Sequence, residues 1–377
     1  MLTPDGSGVV TIVLNRTMLP SLLPQWNNLC QRSAEDNVYY TPNYMLPLLD
    51  TVAANTDVRI LTGWDGDQLI AMLPVVVKGI AVPGITAAAK AWQTDYTFNC
   101  LPLLDAGQTE AAAGAIIDAL ATLTRAECVF PEVNSDGPVC LALQRALAAR
   151  GAPLSLERKF ERASLSVGPS FEEHMTSHVS AKRRRELSRN RRRLEEMGRL
   201  TLRTERSGPG LAEAVQSFLF LEASGWKGKR RTALACDAVT RSFAERAFGP
   251  SGGEHTSRVD LLLLDGKPIA GGVIVFSGST GFTVKGAYDE AYSSYGAGLL
   301  LEQDVIRGFL TERWAQRLDA ATNGSHVIDY LWPDRVSVAD LVFSLAQTSA
   351  SLRLMSLNGF NNKARQARFK LKTLLRR

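Results

Sequence analysis

Residues 259–276 read VDLLLLDGKPIAGGVIVF: an apolar run, an Asp-Gly turn at 265–266, an Ile-Ala pair and a second apolar run. Two short apolar segments around Asp-Gly predict a β-hairpin, because the tight turn needs residues that accept a left-handed backbone. The same order stands at 59–77, RILTGWDGDQLIAMLPVVV, with Asp65-Gly66 placed 200 positions before Asp265-Gly266. One such hairpin is common, but here the flanks match as well. Helix-like regions precede each hairpin, 20–33 with 41–53 in the first half and 209–224 with 237–248 in the second. A further strand and an amphipathic helix follow each, AAAGAIIDALATLT (111–124) and GAGLLLEQDVIRGFLTERWA (296–315). The pattern predicts an α/β protein with a mixed sheet, built from two copies of one unit. The expected units are 1–165 and 166–377, the second including a basic helix at 180–198.

Size agrees with two units: 377 residues, 45% hydrophobic and 21% charged, supply apolar material for two cores. No apolar run reaches the roughly eighteen residues of a membrane span, so none is expected. The N-terminus, MLTPDGSGVVTIVLNR, has no basic residue ahead of its apolar stretch and does not read as a signal peptide. Cys30, Cys100, Cys128, Cys140 and Cys236 are scattered, with no CxxC. Reduced thiols and a cytoplasmic location follow as expectations. The four histidines have no HxxxH or HxH spacing, so no metal is expected.

The net charge of +5 conceals an asymmetry. SAKRRRELSRNRRR (180–193) holds eight cations and one carboxylate, and NNKARQARFKLKTLLRR (361–377) holds seven cations and none. Taking both segments from the total leaves the rest of the chain acidic, at −9. A nucleic-acid binder spreads its cations over the folded surface and interleaves aromatics for stacking. These two segments do neither, and nucleic acid is not an expected partner. SHVSAKRRRELSRNRRRLEEMGRL (177–200) reads as a helix capped at Ser177 or Ser180 and ended by Gly198 in the left-handed conformation. Leu187, Leu194 and Met197 would form its buried stripe. Its arginines would meet a ligand's phosphates or an anionic membrane surface. The tail, with Phe369, Leu371, Leu374 and Leu375 among its cations, would add a second contact at the inner membrane face.

The chemistry concentrates in GFTVKGAYDEAYSSYGAGLLLEQDVI (281–306). A strand, Gly281–Tyr288, runs through a polar loop into Gly296-Ala297-Gly298, which opens a long helix. Free N–H groups at a helix start bind anions, and a pyrophosphate is the natural guest. GxxxxGK[ST] is absent, and Leu301 stands where a dinucleotide fingerprint has its third glycine. Together with FLFLEASGWKGKRRTAL (218–234) and the second hairpin, this stretch resembles the bacterial cellulose-biosynthesis-associated (CelD-type) acetyltransferases. These belong to the GNAT superfamily of acyl-CoA N-acyltransferases and are similar to the tandem-GNAT Fem-type transferases. The likeness spans about residues 20–350. It is most specific in WKG (Trp226–Gly228) and in KGAYDEAY…GAGLLL.

The resemblance implies tandem GNAT folds, the first degenerate and the second holding acyl-CoA as co-substrate, with no metal. It places the pantetheine arm along Lys285, Gly286 and Ala287, and the pyrophosphate at the backbone of Gly296, Ala297, Gly298 and Leu299. The first half offers Gly107 but no G-x-G. Relatives carry a Tyr-Lys pair after the next strand, whereas this chain reads LDAATNGSHVIDYLWPDR (318–335) without a lysine. Acyl transfer to an amine needs a base and an acid for the leaving thiolate. His326 is a base candidate by its ordinary pKa, Asp319 or Asp289 one acting through water, and Tyr330 or Tyr288 the acid. Trp226, Lys227 and Tyr288 would line the acceptor cleft. The expected function is acyl transfer to an amine, a small molecule or glycan precursor of envelope or exopolysaccharide metabolism. The rivals are a Fem-like enzyme using aminoacyl-tRNA and a non-catalytic GNAT-fold scaffold.

Overall fold

The structure is a computed structural model that describes residues 8–78, 88–124, 126–250, 256–324 and 326–346; the basic tail lies outside them. The first unit runs β1 (Val9–Leu14), α1 (Leu19–Gln31), α2 (Pro42–Asp50), β2 (Arg59–Asp65), β3 (Gln68–Lys78) and β4 (Ala88–Ala91). It continues through β5 (Leu103–Leu104, a short strand on β3), α3 (Thr109–Leu123), β6 (Glu127–Asn134), α4 (Pro138–Ala149) and β7 (Leu154–Ser166). Two helices, α5 (Phe171–His178) and α6 (Ala181–Glu195), connect to the second unit. That unit runs β8 (Leu200–Glu205), α7 (Gly208–Ser224), a short α8 (Trp226–Lys229), α9 (Ala238–Phe248), β9 (Ser257–Leu264) and β10 (Lys267–Ser277). It ends with β11 (Thr280–Tyr288), α10 (Ala297–Glu312), β12 (Arg317–Asp319) and β13 (Asp334–Ser344).

Both hairpins form as their sequences predict. Asp265 (φ 49°) and Gly266 (φ 78°) are both left-handed, the geometry of a two-residue type I′ turn, and Gly66 (φ 57°) serves the first hairpin. The fold is mixed α/β, and its element order repeats: strand, helices, hairpin, strand, helix, parallel strand, final strand. Sheet order is β1-β2-β3-β4-β6-β13-β7-β12-β11-β10-β9-β8. The units therefore exchange their last strands. β13 pairs with β6 of the first unit, β7 pairs with β12 of the second, and β7 and β13 pair antiparallel from Asp334↔Ser164 to Phe343↔Leu154. A backbone ladder joins the halves, and side chains reinforce it. Tyr39 packs edge-on to Phe282, and Tyr44 edge-on to Phe243.

Helix α6 departs from its expected boundaries. Ser180 caps it, its hydroxyl accepting from the Arg183 N–H at 3.3 Å. The helix stops at Glu195, and Gly198 is not left-handed. Gly198 is small for another reason: a Cβ there would run into the Asp265 carboxylate, which accepts from the Arg199 N–H at 2.7 Å. The buried stripe is Leu187, Asn190 and Leu194, while Met197 is exposed.

Candidate active site

The site begins where two parallel strands part. β11 and β12 pair only over Thr280–Phe282 and Arg317–Asp319. At that point β11 carries an extra residue against β10: Val273 faces Lys285 while Ile274 faces Thr283, leaving Val284 as a bulge. A bulge bends its strand. β12 ends at Asp319, so β11 continues to Tyr288 with one edge open. The first unit repeats the split, with β4 and β6 paired parallel at only two positions.

The open edge forms the wall of a cleft of about 740 Å³, within the range of a cofactor-sized ligand. Lys285, Gly286, Ala287 and Tyr288 line it, as do Gly296, Ala297, Gly298 and Leu299 at the start of α10. Trp226 and Lys227 from α8 and His326 from the loop after β12 complete the set of expected residues found there. Gly296 is left-handed (φ 63°, ψ 43°), a conformation suited to glycine, and it turns the chain into α10. No side chain caps that helix; the Gly296 N–H donates to the Ser293 carbonyl at 3.0 Å and the Leu299 N–H to the Gly296 carbonyl at 2.9 Å, while those of Ala297 and Gly298 have no internal acceptor among the described residues. A Cβ on Gly298 would come no nearer than 3.8 Å to Tyr288, and one on Gly286 no nearer than 4.0 Å to Gly271. Protein packing does not require these two glycines. Their missing side chains leave room for a guest.

The matching helix start in the first unit, at Gln108, is also without a side-chain cap, and a carboxylate stands on the turn just ahead of it. Asp105 lies ahead of α3, accepts from the Gly107 N–H at 2.7 Å and forms an ion pair with Arg32.

The remaining expected residues are held elsewhere. Asp319 is buried in a two-point ion pair with Arg162, Nε to Oδ1 at 2.8 Å and Nη2 to Oδ2 at 3.0 Å. Its Oδ1 also accepts from the Ala321 N–H at 2.8 Å. Asp289 caps the 3-10 turn Glu290–Tyr295 and accepts from the Lys267 ammonium at 3.2 Å. Tyr330 is exposed outside the cleft, with the Arg183 guanidinium 4.5 Å from its ring centre. Within the cleft, Lys227 donates to Glu222 at 2.9 Å and to the Gly286 carbonyl at 2.8 Å, tying α8 to the open strand. His326 accepts at Nδ1 from the Ile328 N–H at 3.3 Å, and partial burial pulls its pKa down. Burial also lowers Lys285, whose ammonium lies 5.1 Å from the Tyr96 ring centre.

The sequence reading passed over Glu302. This side chain projects from α10 into the cleft, and burial raises its pKa to about 7. Its Oε1 accepts from the Trp332 indole N–H at 2.8 Å, and Trp332 is itself fully buried. Among the described residues Oε2 has no hydrogen-bond partner. One oxygen is anchored, the other is free, and the charge state changes near neutrality, which suits proton transfer. The sequence signal is a carboxylate directly after the apolar run Leu299–Leu301, in GLLLEQDVI.

Residues 181–325 match the model of the Acetyltransferase (GNAT) domain. No curated protein matches the chain. Among solved structures, the chain is similar to FemX at 11% identity, with a TM-score of 0.57, 89% of this chain and 98% of that one being covered. It is also similar to the C-terminal domain of a putative lysylphosphatidylglycerol synthetase from Agrobacterium fabrum, at 13% identity and a TM-score of 0.53, covering 90% and 96%. A conserved protein of unknown function from Bacteroides thetaiotaomicron has 11% identity and a TM-score of 0.52, covering 88% and 100%. At such identities the likeness concerns the fold. The chain thus has a GNAT-type acetyltransferase fold, with the GNAT domain match in its second unit and FemX among its structural neighbours.

Proposed function

We propose that the chain is an N-acyltransferase of the CelD type that moves an acyl group from acyl-CoA to an amine, acting in envelope or exopolysaccharide metabolism. In this reading residues 1–165 are a degenerate unit and 166–377 the donor-binding one. The observation that carries the proposal is the open edge of β11 leading to an uncapped helix start. The pantetheine arm would lie along Lys285–Ala287, and the pyrophosphate would sit at the backbone of Gly296, Ala297, Gly298 and Leu299, taking the N–H groups of Ala297 and Gly298. The amine nitrogen attacks the thioester carbonyl carbon, the carbon–sulfur bond breaks and the thiolate leaves. Glu302 Oε2 takes the amine proton, with Trp332 as its positioning residue. Tyr288 protonates the thiolate. His326 is the alternative base, at the other side of the cleft. Asp319, already paired with Arg162, acts through the fold in this scheme, and Asp289 and Tyr330 act outside the chemistry.

The test follows thiol release from acetyl-CoA against a panel of amines that includes amino sugars, for the wild-type protein and Glu302→Gln. Amine-dependent release that falls at least a hundredfold in the variant supports the scheme, at the lower end of general-base effects of about 10²–10⁴-fold. Release that the variant leaves unchanged removes Glu302 from it. The FemX-like fold, together with the arginines of α6, favours one second reading, transfer from aminoacyl-tRNA. Tight tRNA binding with a steep salt dependence, and no binding of any CoA thioester, would establish that reading instead.

A further inference from the structure

The arginines of α6 fall into two groups. Arg184 donates to the carbonyls of Met175, Thr176 and Val179, and Arg191 pairs with Asp304 at 2.7 Å; both hold the helix in place. Lys182, Arg185, Arg189, Arg192 and Arg193 are exposed. At about 100° per residue these five fall on one outward stripe, next to the helix face that turns Arg183 and Asn190 into the cleft. Carboxylates beside the cleft mouth are largely engaged already, Glu186 by Arg183 and Glu290 by Lys229. Glu196 reaches Arg192 only at 3.7 Å.

A second feature meets this stripe. Trp226 (42% exposed), Tyr288 (41%) and Val327 (46%) are exposed residues of the cleft lining, and Tyr330 (59%), three positions after Val327, extends this apolar collar beyond the cleft. Arginines stack on its rings: Arg183 on Tyr330 and Arg230 on Trp226, while Arg193 lies 4.7 Å from the ring centre of Tyr295 at the entry to α10. Aromatic rings beside a stripe of exposed cations suit a surface that is apolar within and anionic at its face.

We propose that the stripe Lys182–Arg193 and the collar Trp226, Tyr288, Val327 and Tyr330 form a docking face for an anionic lipid bilayer, holding the cleft mouth against the membrane surface. Dimension favours an extended partner over a single phosphate. With a rise of about 1.5 Å per residue, the cations from 182 to 193 extend over roughly 16 Å. One phosphate of a bound nucleotide would engage only the Arg193 end, leaving the rest of the stripe and the collar unused. The docking is peripheral: no helix among the described residues is long and apolar enough to cross a membrane. It is also independent of the acyl reaction, because binding is read without any thioester.

The test is sedimentation of the full chain with vesicles of phosphatidylcholine alone and of phosphatidylcholine mixed with phosphatidylglycerol. The variants are Arg185→Gln/Arg189→Gln/Arg192→Gln and Val327→Asp, with melting curves to confirm folding. Binding is expected only to the anionic vesicles, weakening as salt rises. Each cation near such a surface changes partition roughly fivefold, so the triple variant should lose about a hundredfold. Val327→Asp should also weaken binding. The basic tail is the same in every variant, so unchanged partition of a folded triple variant would overturn the proposal. Equal binding to neutral vesicles, or tighter binding of a polyribonucleotide that displaces the vesicles at the same salt, would do so too.

Discussion

Glu302→Gln isolates one group whose environment has a measurable cost. Burial moves this carboxyl from an ordinary 4.5 to about 7. The folded state then holds a proton that the unfolded state has released, throughout the interval between those values. The sign follows: below about pH 4.5 both states are protonated and the group is neutral to stability. As pH rises towards 7 the wild-type fold loses stability, and above 7 the full cost of a half-desolvated carboxylate remains. At about 1.36 kcal/mol per pH unit the cost is roughly 3 kcal/mol, an upper limit because the cleft admits water and screens the charge. Glutamine keeps a carbonyl oxygen for the Trp332 N–H and removes the charge. Urea denaturation of both proteins across a pH series gives the difference directly, and other titrations cancel in it. Glu302→Gln should match the wild type near pH 4.5 and exceed it by about 1–3 kcal/mol above pH 7. A difference that stays flat with pH would refute the assignment of this carboxyl as a buried group that ionises near neutrality.

Two further substitutions separate roles that the sequence leaves mixed. Asp319→Ala strands the buried Arg162 guanidinium and should destabilise the fold by about 3–5 kcal/mol in denaturant unfolding, whereas a surface acid would cost little. Trp332→Phe removes the one hydrogen bond that holds Glu302 down, so the acidic limb of the rate profile should move to higher pH; an unmoved limb would deny Trp332 its positioning role.

Local patterns were legible and long-range pairings were not. The Asp-Gly hairpins, the helix before each and the glycine-led entry to α10 follow from residue types within a few positions of one another. The strand exchange has no such signal. β7 and β13 are separated by the entire second unit, and nothing in either says which parallel strand it will join. The same limit explains Asp319, which reads as a strand-end carboxylate until Arg162, 157 positions earlier, is brought beside it. Gly198 reads locally as a helix terminator, but its smallness answers to Asp265, on the turn between β9 and β10. Glu302 is locally visible only as one of two acids, with Asp304, in a mostly apolar stretch. Its meaning depends on Trp332, which comes from a different segment.

The central claim is that the uncapped start of α10 and the open edge of β11 receive an acyl-CoA. The most direct measurement is the melting temperature with CoA thioesters of rising chain length, for the wild-type protein and for Gly298→Glu. The space beside Gly298 accepts a Cβ, so the variant should fold while setting a carboxylate against the pyrophosphate position. A thioester at a hundred times its dissociation constant should stabilise the wild type by about 2.7 kcal/mol. The account predicts a wild-type shift that disappears in the variant; no shift with any thioester, or an equal shift in both proteins, would contradict it.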